Sequence, residues 1–176
     1  MSKTNSNLVV MKTSDFDADE MFFRADQLIN DKKVKEAVEL LNEIIAKYPD
    51  YGRAYNHLGW VYEVKFGNYV EAKKFYEKSL ELDPNYKAIY NNYAICLRDC
   101  GDLEKAMDVA NRGLKVQSTY KPSLYSTIGT ILEQQGKLDD ALFNFKEALR
   151  LSLDLTEAYR FQDSIKRCGL KKEALK

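Results

Sequence analysis

The sequence predicts an all-α protein in which four helical hairpins stack on one another and a further helix caps the stack. Two observations carry this prediction. Small residues recur every 34 or 35 positions in several series, and apolar residues within each unit recur at spacings of three and four. Strand-like alternation is absent. Each unit has two apolar segments of about 14 residues joined by a short turn, so each unit is predicted to be a helical hairpin.

The small residues set the period and the limits of each unit. The series are Ala37, Ala72, Ala106 and Ala141; Ala25, Gly59, Ala94 and Gly129; Gly67, Gly101 and Gly136; and Pro49 with Pro84. All four series agree on one period, which places the hairpins at residues 18–51, 52–86, 87–121 and 122–155. Two of the turns depart from the pattern. The second hairpin carries one extra residue near Phe66, and the first has Lys32 where the others have Gly.

The two ends of the chain differ from the repeat. Residues 1–17 are polar and are expected to be flexible, with Asp17 as a plausible helix start. The alternative is that Leu8, Val9 and Val10 dock on the first hairpin and cover its exposed end. Residues 156–176 are predicted to form a capping helix over 156–168 followed by a short basic tail, whose cations suit the end of a helix.

The second unit resembles a known repeat signature. Tyr55-x-x-Leu58-Gly59-x-x-Tyr62, then Ala72-x-x-x-Tyr76, then Pro84, is similar to the tetratricopeptide repeat. The resemblance covers about 85% of the chain. It implies a right-handed superhelical α-solenoid whose first helices line a concave groove for an extended peptide or a helix of a partner protein.

The resemblance also implies which residues line that groove. Counting from Gly59 as the eighth position of its unit, the peptide-binding residues are expected to be Phe22, Phe23, Asp26, Arg53, Asn56, His57, Trp60, Asn91, Asn92, Ile95, Arg98, Thr127 and Thr130. The same positions add Glu63 and Ser126, and the cap contributes Arg160 and Phe161.

Trp60 and His57 are the only Trp and His of the chain. Asn56, His57 and Trp60 are three or four residues apart and share a helical face. Tyr55 occupies the buried place of the family's signature tryptophan, so Trp60 is an addition on another face. Two interpretations stay open: Trp60 faces a ligand, or it packs against a neighbouring helix or against Phe22 and Phe23. Asn91 and Asn92 could hold a peptide backbone, or could belong to a solvated helix face.

One well-known use of this family is to clamp the acidic C-terminus of a heat-shock chaperone. That clamp needs Lys and Asn in one repeat, Asn in the next, and Lys with Arg in a third. Only Asn92 matches in this sequence, so the chaperone clamp is disfavoured.

Charge and composition limit the remaining classes of function. Lys and Arg total 27 and so do Asp and Glu, which argues against nucleic acid as a partner. No signal peptide or membrane span is apparent, and three cysteines without secretory context suggest a reduced, cytoplasmic location. Cys96 and Cys100 are interpreted as structural thiols. Because no phosphate-binding loop, nucleophile pair or ligand set appears, we expect no enzyme activity, no cofactor and no metal site.

The sequence therefore predicts a non-enzymatic interaction scaffold that binds a protein or peptide in its groove. Two alternatives stay open: a self-assembling homo-oligomer, and a non-catalytic adaptor or chaperone subunit of a larger complex.

Overall fold

The computed structural model describes residues 13–117 and 119–175, which form nine α-helices and no strand. The helices are α1 Thr13–Asn30, α2 Val34–Lys47, α3 Gly52–Val64, α4 Tyr69–Leu82, α5 Lys87–Asp99, α6 Leu103–Lys115, α7 Lys121–Gln134, α8 Leu138–Leu151 and α9 Leu155–Ala174. None of these described helices is both long and apolar enough to cross a lipid bilayer.

Consecutive helices pack as hairpins, and small residues lie where the two helices of a hairpin cross. The pairs are α1 with α2, α3 with α4, α5 with α6 and α7 with α8, and α9 packs on α8. A Cβ built on Gly59 would lie 2.6 Å from Cδ1 of Tyr76, and one built on Gly129 would lie 2.8 Å from Cδ1 of Phe145. The predicted all-α stack of four hairpins with a capping helix is confirmed.

Large apolar side chains fill the space between hairpins. Tyr76 of α4 and Tyr93 of α5 are almost fully buried in one cluster, and their ring centroids are 5.7 Å apart. The hydroxyl of Tyr76 donates to Glu63 Oε2 at 2.7 Å. Because a single hairpin leaves this apolar face uncovered, the stability of the fold comes from stacking.

Three hairpin turns share one hydrogen-bonded geometry. After α5, the N–H of Asp102 donates to the carbonyl of Leu97 and the N–H of Gly101 donates to that of Arg98. This pair of hydrogen bonds requires a residue in the left-handed backbone conformation, and Gly101 adopts it with φ 83°. The turn after α1 is built in the same way on Lys32, with φ 63°. Since a side chain disfavours this backbone region, Lys32 is strained.

The turn after α3 accommodates the extra residue of the second hairpin. The N–H of Asn68 donates to the carbonyl of Tyr62 at 2.8 Å, one residue further back than the equivalent bond elsewhere. The N–H of Phe66 reaches the carbonyl of Val61 at 3.3 Å. The last turn of α3 is therefore wider, and Phe66 lies at the surface with its ring edge-on to Tyr62.

Both ends of the chain differ from the sequence prediction. Helix α1 begins at Thr13, four residues before Asp17, so residues 13–17 are helical. The alternative that Leu8, Val9 and Val10 dock on the first hairpin concerns residues 1–12, which lie outside the described residues. Helix α9 continues to Ala174 without a separate tail. Three of its cations pair with carboxylates of the preceding hairpin instead of lying free in solvent: Arg167 and Lys171 bind Glu133, and Lys172 binds Asp139.

Candidate partner-binding groove

The first helices of the hairpins and the capping helix share one face of the stack. We call the surface formed by α1, α3, α5, α7 and α9 the groove. Helix α5 contacts both α3 and α7 directly. Two depressions lie in this surface, one across α1, α3 and α5 and the other across α5, α7 and α9. We call them the N-terminal and the C-terminal depression.

The N-terminal depression has a volume of about 270 Å³ and brings together residues of three helices. It is lined by Asp26, Ile29, Asn30, Asn56, His57, Trp60 and Asn92. The structure thus places five of the thirteen predicted groove residues around one depression. Ile29 and Asn30 were missed, although Ile29 stands at the position of the first repeat that corresponds to Arg98 in the third.

Side-chain hydrogen bonds connect the three helices across this depression. His57 Nε2 of α3 lies 3.3 Å from Oδ1 of Asp26 in α1. Asn92 Nδ2 of α5 donates to Oδ1 of Asn56 in α3 at 3.1 Å. Asn56 is only 1% exposed, so its position is fixed by the helices around it. The groove floor is therefore an ordered polar row and not a set of freely moving side chains.

His57 is held as a neutral imidazole in this row. Burial lowers the pKa of His57, and the Asp26 carboxylate and the backbone of Arg53 oppose that shift without cancelling it. The ring also packs edge-on to Phe22 at a centroid distance of 4.4 Å. His57 is therefore a fixed hydrogen-bonding group with little tendency to change its charge near neutral pH.

Trp60 takes part in both the core and the groove. It is partly buried and packs against the central apolar cluster, while another part of the side chain lines the N-terminal depression. Lys65 Nζ lies 5.1 Å from the centre of its ring. The interpretation that Trp60 packs against a neighbouring helix thus fits part of the side chain, and the interpretation that the rest of it faces a ligand stays a prediction.

Phe23 does not reach the depression, and the reason lies in the stack. In later hairpins the equivalent residue contacts the preceding first helix, as His57 contacts Phe22 of α1 and Asn92 contacts Asn56. Helix α1 has no preceding helix among the described residues, so Phe23 is 63% exposed and lies beside Leu40 and Glu43 at the end of the stack.

Three other predicted residues lie at the margins of the groove. Arg53 binds Asp19 at 3.2 Å and lies 5.8 Å from the ring centre of Tyr86. Asn91 lines a separate shallow depression with Asn92, Thr119 and Tyr120 among others, and its Oδ1 is buried without a partner among the described residues. The hydroxyl of Thr130 donates a hydrogen bond to the backbone carbonyl of Ser126 at 2.9 Å.

The C-terminal depression gathers the remaining predicted residues, Ile95, Arg98 and Thr127, together with residues of the capping helix. It is lined by Ile95, Arg98, Ser123, Ser126, Thr127, Glu157, Arg160, Phe161 and Ser164, and its volume is about 210 Å³. The sequence analysis named Arg160 and Phe161 but missed Glu157 and Ser164, which stand in the capping helix where Arg53 and Trp60 stand in the second repeat.

The two neighbouring cysteines have different environments. Cys96 is buried, and Cys100 at the end of α5 is exposed. Burial raises the pKa of the Cys96 thiol, and the nearby Glu63 carboxylate raises it further. The prediction of a structural thiol therefore fits Cys96 better than Cys100.

These features define the class of protein: an α-helical solenoid whose successive first helices present one continuous surface. Three models described as tetratricopeptide repeat match residues 24–87, 63–122 and 122–155. The chain belongs to the tetratricopeptide repeat family, as its sequence signature implied.

Two known proteins with similar sequences are much longer than this chain. The chain is 29% identical over 121 residues to the "Probable UDP-N-acetylglucosamine--peptide N-acetylglucosaminyltransferase SPINDLY" of Hordeum vulgare, covering 65% of this chain and 13% of that protein. The mouse "Mitochondrial import receptor subunit TOM70" is 24% identical over 77% of this chain. The chain spans 13% and 22% of the length of these two relatives.

Solved structures share the fold at low sequence identity. Pseudomonas aeruginosa pilF superimposes with a TM-score of 0.76 at 17% identity, over 89% of this chain and 78% of that one. YrrB, titled "a TPR protein with an unusual peptide-binding site", superimposes with a TM-score of 0.68 at 19% identity, over 92% of this chain and 84% of that one. At these identities the likeness establishes the architecture alone.

Proposed function

We propose that this chain is a non-catalytic interaction module that binds a segment of another protein in its groove, with Asn56, His57, Trp60 and Asn92 as the central contacts. The observation that carries the proposal is the N-terminal depression, where polar groups from three helices converge beside one aromatic ring. A small number of fixed polar groups beside apolar surface is typical of recognition sites.

The hydrogen bonding of the depression suits a peptide backbone. The bond from Asn92 to Asn56 uses one donor of Asn92 and one acceptor of Asn56. Asn92 is partly exposed, and its side-chain Oδ1 takes no part in that bond, so Oδ1 can accept a hydrogen bond from a backbone N–H of a bound segment. Trp60 offers an apolar surface next to it, and aromatic anchors often dominate binding energy at protein interfaces.

The lining of the depression supports a non-catalytic role. It contains no Ser, Thr, Cys or Lys that His57 could activate as a nucleophile. The imidazole is instead fixed between Phe22 and Asp26. YrrB, which shares this architecture, is described as having a peptide-binding site, in agreement with the proposal.

Selection from a displayed library of random ten-residue peptides against the immobilised full chain tests this proposal. Peptides enriched on the wild type should be lost on Asn92→Ala and on Trp60→Ala. Phe143→Ala is the matched control, because Phe143 is an aromatic residue that is 62% exposed on α8, outside the groove. Enrichment that survives both groove substitutions, or an absence of enrichment on the wild type, would rule the proposal out.

A second candidate function is self-association through the N-terminal end of the stack. Phe16 and Phe23 are seven residues apart, share one face of α1, and are 70% and 63% exposed. Light scattering across a concentration series separates the two candidates. An apparent molecular mass that rises with concentration, and that is lower for Phe23→Ser, supports self-association. A constant monomer mass excludes self-association.

A further inference from the structure

The C-terminal depression has a different chemistry from the N-terminal one. Two guanidinium groups, Arg98 of α5 and Arg160 of α9, line the same concavity. Four hydroxyl side chains lie around them: Ser123, Ser126, Thr127 and Ser164. Guanidinium groups with neutral O–H donors form a set suited to an oxyanion, because all of them can donate hydrogen bonds to it.

Most of these donors are not used within the described part of the chain. Arg160 is exposed and forms no ion pair with a described residue, and the hydroxyls of Ser123, Ser126 and Thr127 donate to no described acceptor. The side chain of Arg98 is only 21% exposed. One edge of its guanidinium faces Asp99, with Nε and Nη2 each 2.7 Å from Oδ1 of that residue. Asp99 therefore orients Arg98 while leaving other N–H groups of the guanidinium free.

The one carboxylate in the lining is already engaged. Oε2 of Glu157, at the start of α9, accepts a hydrogen bond from the hydroxyl of Tyr120. The hydroxyl of Ser152 donates to the carbonyl of Asp154 at 3.1 Å and lies 3.5 Å from the same Oε2. The side chain of Glu157 is thus held by a neutral donor rather than by either arginine. The buried ring of Phe161 forms an apolar wall of the same depression.

We propose that the C-terminal depression binds an acidic group of the segment that occupies the groove, a carboxylate side chain or a phosphoryl group, between Arg98 and Arg160. This inference rests on the proposed peptide-binding function and adds the chemistry of the partner. The arginines lie on α5 and α9, which is not the arrangement of the chaperone clamp, because Arg98 stands at the twelfth position of its repeat, a position that the clamp does not use.

The charges of the two depressions also determine which end of the bound segment carries the acidic group. The N-terminal depression holds the Asp26 carboxylate, which is 47% exposed, and no cation lines it. The depressions are centred on α3 and α7, two helix spacings apart, or about 16–20 Å at 8–10 Å per spacing. An extended chain covers that distance in about five or six residues. The acidic group therefore lies at the end of the segment that is remote from Asp26.

The same peptide selection tests this inference apart from the proposed function. Peptides enriched on the wild type should contain more Asp and Glu than the input library, and Arg160→Gln should abolish that excess while enrichment itself persists. Lys166→Gln is the matched control, because it makes a similar change of charge on the same helix outside the depression. Circular dichroism verifies that each variant is folded.

A second measurement identifies the source of the oxyanion. The strongest acidic peptide is synthesised with its Glu unchanged, with Gln in its place, and with phosphoserine in its place, and affinity is measured by fluorescence polarisation. A charge-assisted hydrogen bond contributes enough for the Gln peptide to bind about 10- to 100-fold more weakly. Tighter binding of the phosphoserine peptide identifies a phosphoryl group as the preferred ligand, and weaker binding identifies a carboxylate.

The outcomes separate the two proposals. Enrichment without acidic bias, or a bias that Arg160→Gln leaves unchanged, overturns the oxyanion site and leaves groove binding intact. Enrichment that is lost on Arg160→Gln yet has no acidic bias also overturns the site. An absence of groove-dependent enrichment overturns the proposed function itself.

Discussion

The crossing of α3 and α4 at Gly59 gives a quantitative test of the packing. A Cβ at this position would lie 2.6, 2.7 and 3.0 Å from three ring atoms of Tyr76, whereas carbon atoms in contact are normally about 3.5–4.0 Å apart. The ring has little freedom to move away. It is fully buried, packs against Tyr93, and is tied to Glu63 through its hydroxyl.

We therefore expect Gly59→Ala to destabilise the protein by about 1–2 kcal/mol. Overpacking in a close-packed interior costs about 1–3 kcal/mol, and the better helix propensity of Ala returns up to about 1 kcal/mol. Chemical unfolding followed by circular dichroism measures the change. At this chain length the melting temperature should fall by about 2–4 °C per kcal/mol.

Gly169 of α9 provides the matched control for Gly59. A Cβ built on Gly169 meets no atom within 4 Å, so Gly169→Ala keeps only the propensity gain and should stabilise by up to about 1 kcal/mol. A compensating change gives a second check. In the first hairpin, Leu41 holds the position that corresponds to Tyr76, opposite an alanine, so Tyr76→Leu should recover part of the stability lost in Gly59→Ala. If Gly59→Ala is as stable as the wild type, the reasoning is refuted.

Three further stability predictions use matched sites. Lys32→Gly should stabilise by about 1 kcal/mol in urea unfolding because Lys32 has φ 63°, whereas Lys33→Gly, at φ −86°, should not; equal effects would contradict the strain argument. Asn68→Ala should cost about 1 kcal/mol because Asn68 caps α4 by accepting from the N–H of Glu71 at 3.2 Å, while Asp102→Ala at the uncapped start of α6 should cost less. The guanidinium of Arg167, with Lys171, lowers the pKa of Glu133 to about 2 from 4.5. Because this pKa is lower in the folded state, the stabilisation is present above about pH 5 and is lost as the pH falls towards 2. Glu133→Gln should therefore remove roughly 1–3 kcal/mol at pH 7 and about half of that or less at pH 3, after allowance for the exposed partners, and an equal loss at both pH values would argue against the ion pairs.

The sequence predicted the architecture because the packing rule repeats. Gly59 and Gly129 each stand opposite an aromatic ring at the point where the two helices of a hairpin cross. The spacing of the small residues in the sequence therefore predicts these crossing points. The period also located the irregular turn at Phe66, since one extra residue breaks the interval between two glycines. Such signals are local and periodic, so one chain contains several copies of each.

The sequence could not predict features that depend on what lies beyond a repeat. Phe23 occupies a groove position by counting, yet it is exposed because no described helix precedes α1. The ion pairs of Glu133 with Arg167 and Lys171 join residues 34 or more positions apart, and a run of cations alone does not reveal them. The length of α9 was underestimated for the same reason, since these pairs hold its last turns against the preceding hairpin.

The fluorescence of Trp60 tests most directly the central claim, which is that a segment of a partner protein binds in the groove. The chain has a single Trp, and it lines the N-terminal depression, so its fluorescence responds to occupancy of the groove. Titration with the strongest selected peptide should change the Trp60 emission saturably in the wild type and in Phe143→Ala, and much more weakly in Asn92→Ala. Binding detected by calorimetry without any change in Trp60 emission would place the partner elsewhere and contradict the account.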